Sequence, residues 1–280
     1  MKNPPPPMLG DDPETPPSVL TRFGITTVEQ DFDTAVVVTA MSVGGMRNPL
    51  TGLPSMAGLA ILVDDAAGRA NFFRRRQGWT VSSELTVDLS AGAADSLLRF
   101  PDEPVIAHAH PIGDPEAPML AVCSLSHHGT EIGSGSVHTM PLGGGAPDGT
   151  RRRGNDPLAG NPDCTLADLM AVSPMPTEDG RHRLLQNPDP LINNMAGIVH
   201  GGVSTAGLEL VASAAINHGQ DEPLRTASIR VNFLRPFFAG AESVYEGTAL
   251  RIGRSTAVGD ARAVGADGKT ALVARITAYR

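Results

Sequence analysis

Residues 193–211 read NNMAGIVHGGVSTAGLELV. His200, Gly201 and Gly202 stand directly before an apolar run that holds one acid, Glu209. These residue types fit attack of water on a carbonyl. Free N–H groups at a helix N-terminus, with the helix dipole behind them, can hold an oxyanion. Glycine lets a carbonyl approach the backbone closely. A carboxylate supplies a nucleophile or a base for water. Glu209 among Ala, Val and Leu should be desolvated, which raises its pKa. Gly201 and Glu209, however, are eight residues apart, roughly 12 Å along one helix. They cannot serve the same carbonyl, so each needs a partner from another element.

The surrounding chain sets bounds on those elements. It has 280 residues, enough for one large domain or two smaller ones, and 41% of them are hydrophobic. A net charge of −8 argues against a nucleic-acid partner, which needs a basic face. Cys123 and Cys164 are far apart and read as reduced thiols of a cytoplasmic protein. Residues 1–18 lack the apolar core of a signal peptide, and no apolar run is long enough to span a membrane. That first segment, rich in Pro and acid, is expected to be a disordered tail. Residues 141–163, dense in Gly, Pro, Asp and Arg, read as a linker.

The linker divides two similar halves, expected at 19–140 and 164–280. Each runs loop, long apolar helix, then antiparallel strands. The helices are expected at 56–73 and 201–217. Setting Thr86-Val87-Asp88-Leu89 against Arg230-Val231-Asn232-Phe233 places the copies about 144 residues apart. Ala266-Asp267-Gly268 signals a hairpin between the last two strands. Helices too apolar for a surface, each followed by strands, imply an α+β fold in which a sheet wraps a buried helix.

The run Asn194…His200-Gly201-Gly202…Glu209, then Val231 to Pro236 (VNFLRP) and Gly253-Arg254-Ser255, resembles the hotdog-fold acyl-CoA thioesterases of the phenylacetyl-CoA (PaaI-like) type. The resemblance is specific over about residues 180–280. The first half resembles the same unit less closely, with Ser55-Met56-Ala57-Gly58 where His-Gly-Gly would stand. The whole chain thus looks like a double hotdog, two antiparallel sheets each around a central helix, with two units fused in place of the family's dimer. In that family the oxyanion donor and the acid come from different units. The resemblance therefore pairs Gly201 with Asp64 or Asp65 of the first helix, and Glu209 with the degenerate Ser55–Gly58 turn.

The order Leu-Val-acid favours Asp64, whereas strand register and helical phase favour Asp65; Asp64 is preferred. Asn194 and His200 would position thioester or water, and Ser82 or Ser83 would support the acid. Gly202, Arg235, Arg254 and Ser255 would meet the acyl-CoA or acyl-carrier substrate. Two alternatives stand beside hydrolysis: a non-catalytic acyl-CoA binder, and an enoyl-CoA hydratase or dehydratase on the same fold. No cofactor is expected. His108, His110, His127 and His128 lack a Cys or acid to complete a metal set. Fused units still present sheet faces and edges, so a homo-oligomer is expected. The plainer readings are a His that closes a turn and an Asp64–Asp65 pair on a solvated face.

Overall fold

A computed structural model describes residues 18–75, 79–114, 119–141, 156–178 and 180–280. All of the expected tail but Ser18, and most of the expected linker, lie outside these residues. The first half contains α1 (Val19–Phe23), β1 (Thr26–Asp31), β2 (Val36–Met41), α2 (Ala57–Arg75), β3 (Thr80–Leu89), α3 (Ala93–Arg99), β4 (Val105–Ile112), β5 (Met119–His127) and β6 (Thr130–Pro141). The second contains α4 (Leu166–Met170), β7 (Val172–Glu178), β8 (Arg181–Gln186), α5 (Gly201–Asn217), β9 (Arg225–Phe233), β10 (Val244–Ile252), β11 (Thr256–Val264) and β12 (Thr270–Tyr279). The β11–β12 hairpin turns as expected, with Gly268 at φ 73° and its N–H bonded to Gly265 O.

The two expected sheets join into one. Strand order is β1-β2-β4-β5-β6-β3-β9-β12-β11-β10-β8-β7, antiparallel throughout. Read from the centre, the halves have the same order of equivalent strands. They meet where β3 pairs with β9, and Thr86 faces Arg230 there. Those two residues are also equivalent in the repeat, so the pseudo-twofold axis passes between them. Two edge strands that would otherwise need protection close on each other.

Each half of the sheet covers one long helix. In α5, every residue from Gly202 to Ala212 is buried, and α2 is buried from Ala57 to Ala67. Such helices can exist only as cores, which is why their sequences lack a polar face. Both start with a side-chain cap: His200 Nδ1 accepts the Gly202 N–H at 3.2 Å, and Ser55 Oγ accepts the Ala57 N–H at 3.1 Å. α5 ends where Asn217 bonds both Leu224 N and Leu224 O. α2 ends on Arg74 and Arg75, cations suited to the dipole.

Part of the expected linker is structural. Asp156 is buried and bonds Arg22 Nε at 2.5 Å, and Arg22 also reaches Asp189 at 2.9 Å. This triad, buried at Arg22 and Asp156, ties α1 to the segment that leads into the second half. Nothing in the sequence marks Asp156, because an acid among Gly and Pro carries no periodicity that would show it as a docked partner.

Candidate active site

The helices cross with each N-terminus beside the middle of the other. A Cβ at Gly202 would lie 2.6 Å from Ile61 Cα, and one at Gly201 would lie 2.7 Å from Asp64 Oδ2. The glycines are therefore needed first for the approach of α2. This steric reason stands beside the one the sequence suggested, room for a substrate carbonyl.

Asp64 is the meeting point. Its Oδ2 accepts the Gly202 N–H at 2.7 Å and lies 3.2 Å from His200 Nδ1. Its Oδ1 accepts the Ser82 hydroxyl at 2.8 Å. Donors from a helix N-terminus in one half and a strand in the other thus fix one carboxylate. His200 donates to Asp64 when Nδ1 carries the proton, and shares the Gly202 N–H when it does not. Gly202 itself, expected to meet substrate, is occupied by the acid. The first N–H of the helix, that of Gly201, has no acceptor within its own helix.

Asn194 shapes the turn before His200. Its Oδ1 accepts the N–H groups of Ala196 (2.9 Å) and Ile198 (3.2 Å). Its backbone N–H bonds Ile198 O, and His200 N–H bonds Ile192 O. Asn194 thus holds the loop that leads into α5.

Asp65 points away from this junction. It is buried, its carboxylate 3.5 Å from Arg69, which in turn bonds Thr27 and Gln30 of β1. Burial pushes the Asp65 carboxyl above its ordinary range, and Arg69 pulls it partly back. Ser83 donates to His138 O on the exposed side, so of the serine pair only Ser82 reaches an acid. Arg235, Arg254 and Ser255 are exposed, and none bonds to the Asp64 cluster. The histidines are dispersed: His127 pairs with Ser96 and His128 with Glu103, while His108 and His110 stand exposed on β4 with rings 6.4 Å apart.

A second cluster repeats the first under the pseudo-twofold. Glu209 accepts the Thr226 hydroxyl at 2.5 Å and the Ser55 hydroxyl at 3.3 Å. Glu209, Ser55 and Thr226 correspond to Asp64, His200 and Ser82. Asn48 corresponds to Asn194: its Oδ1 accepts Leu50 N–H and its backbone bonds Leu53 O. Asn48 and Thr226 are not marked in the sequence. Asn48 precedes Ser55 by one residue more than Asn194 precedes His200, and that insertion hides the match. Burial raises the Glu209 carboxyl, against the pull of its hydroxyl partners. Beside it lies a cavity of about 90 Å³, lined by Asn48, Met56, Leu98, Ser213 and Thr226 among others.

Comparisons with known proteins agree with this architecture. No curated protein sequence matches the chain. Residues 196–272 match the family model described as thioesterase superfamily. Among solved structures, acyl-CoA thioesterase II TesB2 from Mycobacterium marinum is similar over 93% of this chain and 96% of its own, at 14% identity and TM-score 0.57. A hot dog fold protein of unknown function from Alicyclobacillus acidocaldarius matches over 90% and 98%, at 14% identity and TM-score 0.55. The PaaI protein of the E. coli phenylacetic acid degradation operon matches 41% of this chain and 86% of its own, at 21% identity and TM-score 0.36.

Two hotdog units in one chain, with a polar cluster at each crossing of their helices, define a double hotdog. The match to the thioesterase superfamily model lies within its second half. Among the described residues no helix is long and apolar enough to cross a membrane.

Proposed function

We propose that the chain hydrolyses acyl thioesters to a carboxylate and a free thiol at the composite cluster around Asp64. The convergence of Gly202 N–H, His200 and Ser82 on that one carboxylate, across the two halves, carries the reading. The thioesterase-superfamily domain supports it, as does the name borne by the full-length M. marinum neighbour. Asp64 takes a proton as water attacks the thioester carbonyl, and the Gly201 N–H at the dipole end of α5 holds the resulting oxyanion. The tetrahedral intermediate collapses with cleavage of the C–S bond, and the thiolate leaves to be protonated. Ser82 and His200 hold the carboxylate in place for this step. An acyl-CoA is the substrate class, or an acyl group on a carrier protein. Arg235 and Arg254, exposed beyond the cluster, are the cations placed for its phosphates. The reaction belongs in the cytoplasm, and the second half's phenylacetyl-CoA-type motif marks the subfamily.

Release of thiol from a panel of acyl-CoA esters tests this. Asp64→Asn keeps the shape and removes the base, and should slow hydrolysis by about 10²-fold or more. Glu209→Gln and Asp65→Asn should cost far less in folded protein. Loss of activity in Glu209→Gln with retention in Asp64→Asn would move the working site to the second cluster. Binding of the esters without any turnover would instead mark a non-catalytic binder.

A further inference from the structure

Most of the tightly placed glycines on the two central helices have a steric reason. A Cβ added at Gly58 would lie 2.4 Å from the Met46 sulfur, one at Gly202 would meet the backbone of Ile61, and one at Gly207 would lie 2.5 Å from the ring of Tyr245. Gly68 has none. It lies in the interior of α2, and a Cβ there would meet nothing within 4 Å among the described residues. Glycine in a helix interior is unfavourable relative to alanine, and here no packing offsets that cost.

Its position suggests what does. Gly68 follows Asp64 by one turn, so the two share a face of the helix. One turn further on is Phe72, whose ring packs edge-on against Trp79 at 5.3 Å. Across the β3–β6 ladder from Ser82 stands Thr139, buried, with a hydroxyl that has no partner among the described residues. The face thus reads carboxylate, gap, aromatic pair, beside an unused buried hydroxyl. Asp64 to Phe72 spans roughly 12 Å of helix.

We infer that the gap at Gly68 is the acyl slot of the Asp64 site, and that Gly68 sets the length of acyl group the site accepts. This rests on the thioesterase reading above. The thioester carbonyl lies at Asp64, the acyl group passes over the bare backbone at Gly68, and a longer chain ends on the Phe72–Trp79 pair. An acetyl group stops short of the gap, and a medium-length chain must cross it. A branched side chain at 68 therefore discriminates by length.

Gly68→Ala and Gly68→Leu are compared with the unaltered chain on acetyl-CoA and octanoyl-CoA, and each is melted. Both variants should fold, and Gly68→Ala should melt higher, since it adds a helix former in open space. Gly68→Leu should lower kcat/KM for octanoyl-CoA relative to acetyl-CoA by about tenfold or more, the scale of misfit in an apolar pocket. The shift should appear chiefly in KM, and Gly68→Ala should fall between. A Gly68→Leu enzyme with the parent's ratio of the two esters would overturn the slot, as would a lower melting temperature for Gly68→Ala. Failure of the unaltered chain to hydrolyse or bind either ester would instead strike down the thioesterase reading, and this assignment with it.

Discussion

Asp64 and Glu209 hold equivalent places and differ in what faces them. Asp64 receives a backbone N–H beside His200, whereas Glu209 receives hydroxyls from Thr226 and Ser55 in a closed setting. Burial dominates at Glu209 and raises its pKa from an ordinary 4.5. A carboxyl with a raised folded pKa holds its proton more tightly in the fold. It adds no penalty below the unfolded value, and it destabilises increasingly as pH climbs toward the folded one. Glu209→Gln removes that penalty. In urea titrations the variant should match the parent near about pH 4 and exceed it above. The gain should be about 1.4 kcal/mol for each unit by which the folded pKa stands above the unfolded one. A parent that gains on the variant as pH rises would contradict this. Strand register and helical phase favoured Asp65, because the equivalent strand residues Ser82 and Thr226 lie one residue closer in sequence than the equivalent helix caps Ser55 and His200. Resemblance pointed to Asp64, which is the acid that bonds Ser82 and Gly202. Thr226 was not foreseen, since one threonine in a β-branched strand looks like any other.

Among the elements, the helix crossing is the most constrained. At Gly202 a methyl group would meet Ile61 Cα and Ala60 O, both backbone atoms that cannot swing aside. Gly202→Ala should therefore push α2 from α5 and cost about 1–3 kcal/mol, measured by urea unfolding. It should also impair hydrolysis, because the Asp64 contact runs through the same residue. Retained stability with retained activity would show that the crossing tolerates more than its geometry implies. The long helices and the inner strands were readable from their apolar runs. β7 was not, since Pro174 and Pro176 argue against a strand except at an edge, which is where β7 lies. β1 escaped for a similar reason, being a mostly polar strand at the other edge. The joining of the half-sheets was also invisible, because an edge that pairs and an edge that does not have the same pattern of side chains.

The whole molecule is held by the β3–β9 ladder, the helix crossing and the Arg22 triad. Arg22 has a side chain only 2% exposed and two carboxylates for partners. Asp156→Ala leaves it buried with one, and should cost about 3 kcal/mol in thermal or urea unfolding. A loss within a few tenths would mean that Asp189 suffices alone. The free sheet edges are blunted, by Pro174 and Pro176 on β7 and by a bulge and two acids on β1. Association of chains, the expectation for fused hotdogs, should therefore use sheet faces rather than added strands. Light scattering at micromolar concentration should report a mass above the 29.1 kDa of one chain. A monomeric mass would refute it. The axis between Thr86 and Arg230 has one more consequence, a genetic one. In a homodimer built about such an axis, every codon is expressed twice and each change strikes both reaction centres together. Fusion ends that bondage: a mutation at Ser55 or Met56 alters one crossing and spares His200 and Gly201 at the other. One centre can then drift, lose its original chemistry or take up a new ligand, while its twin stays under selection for the old one.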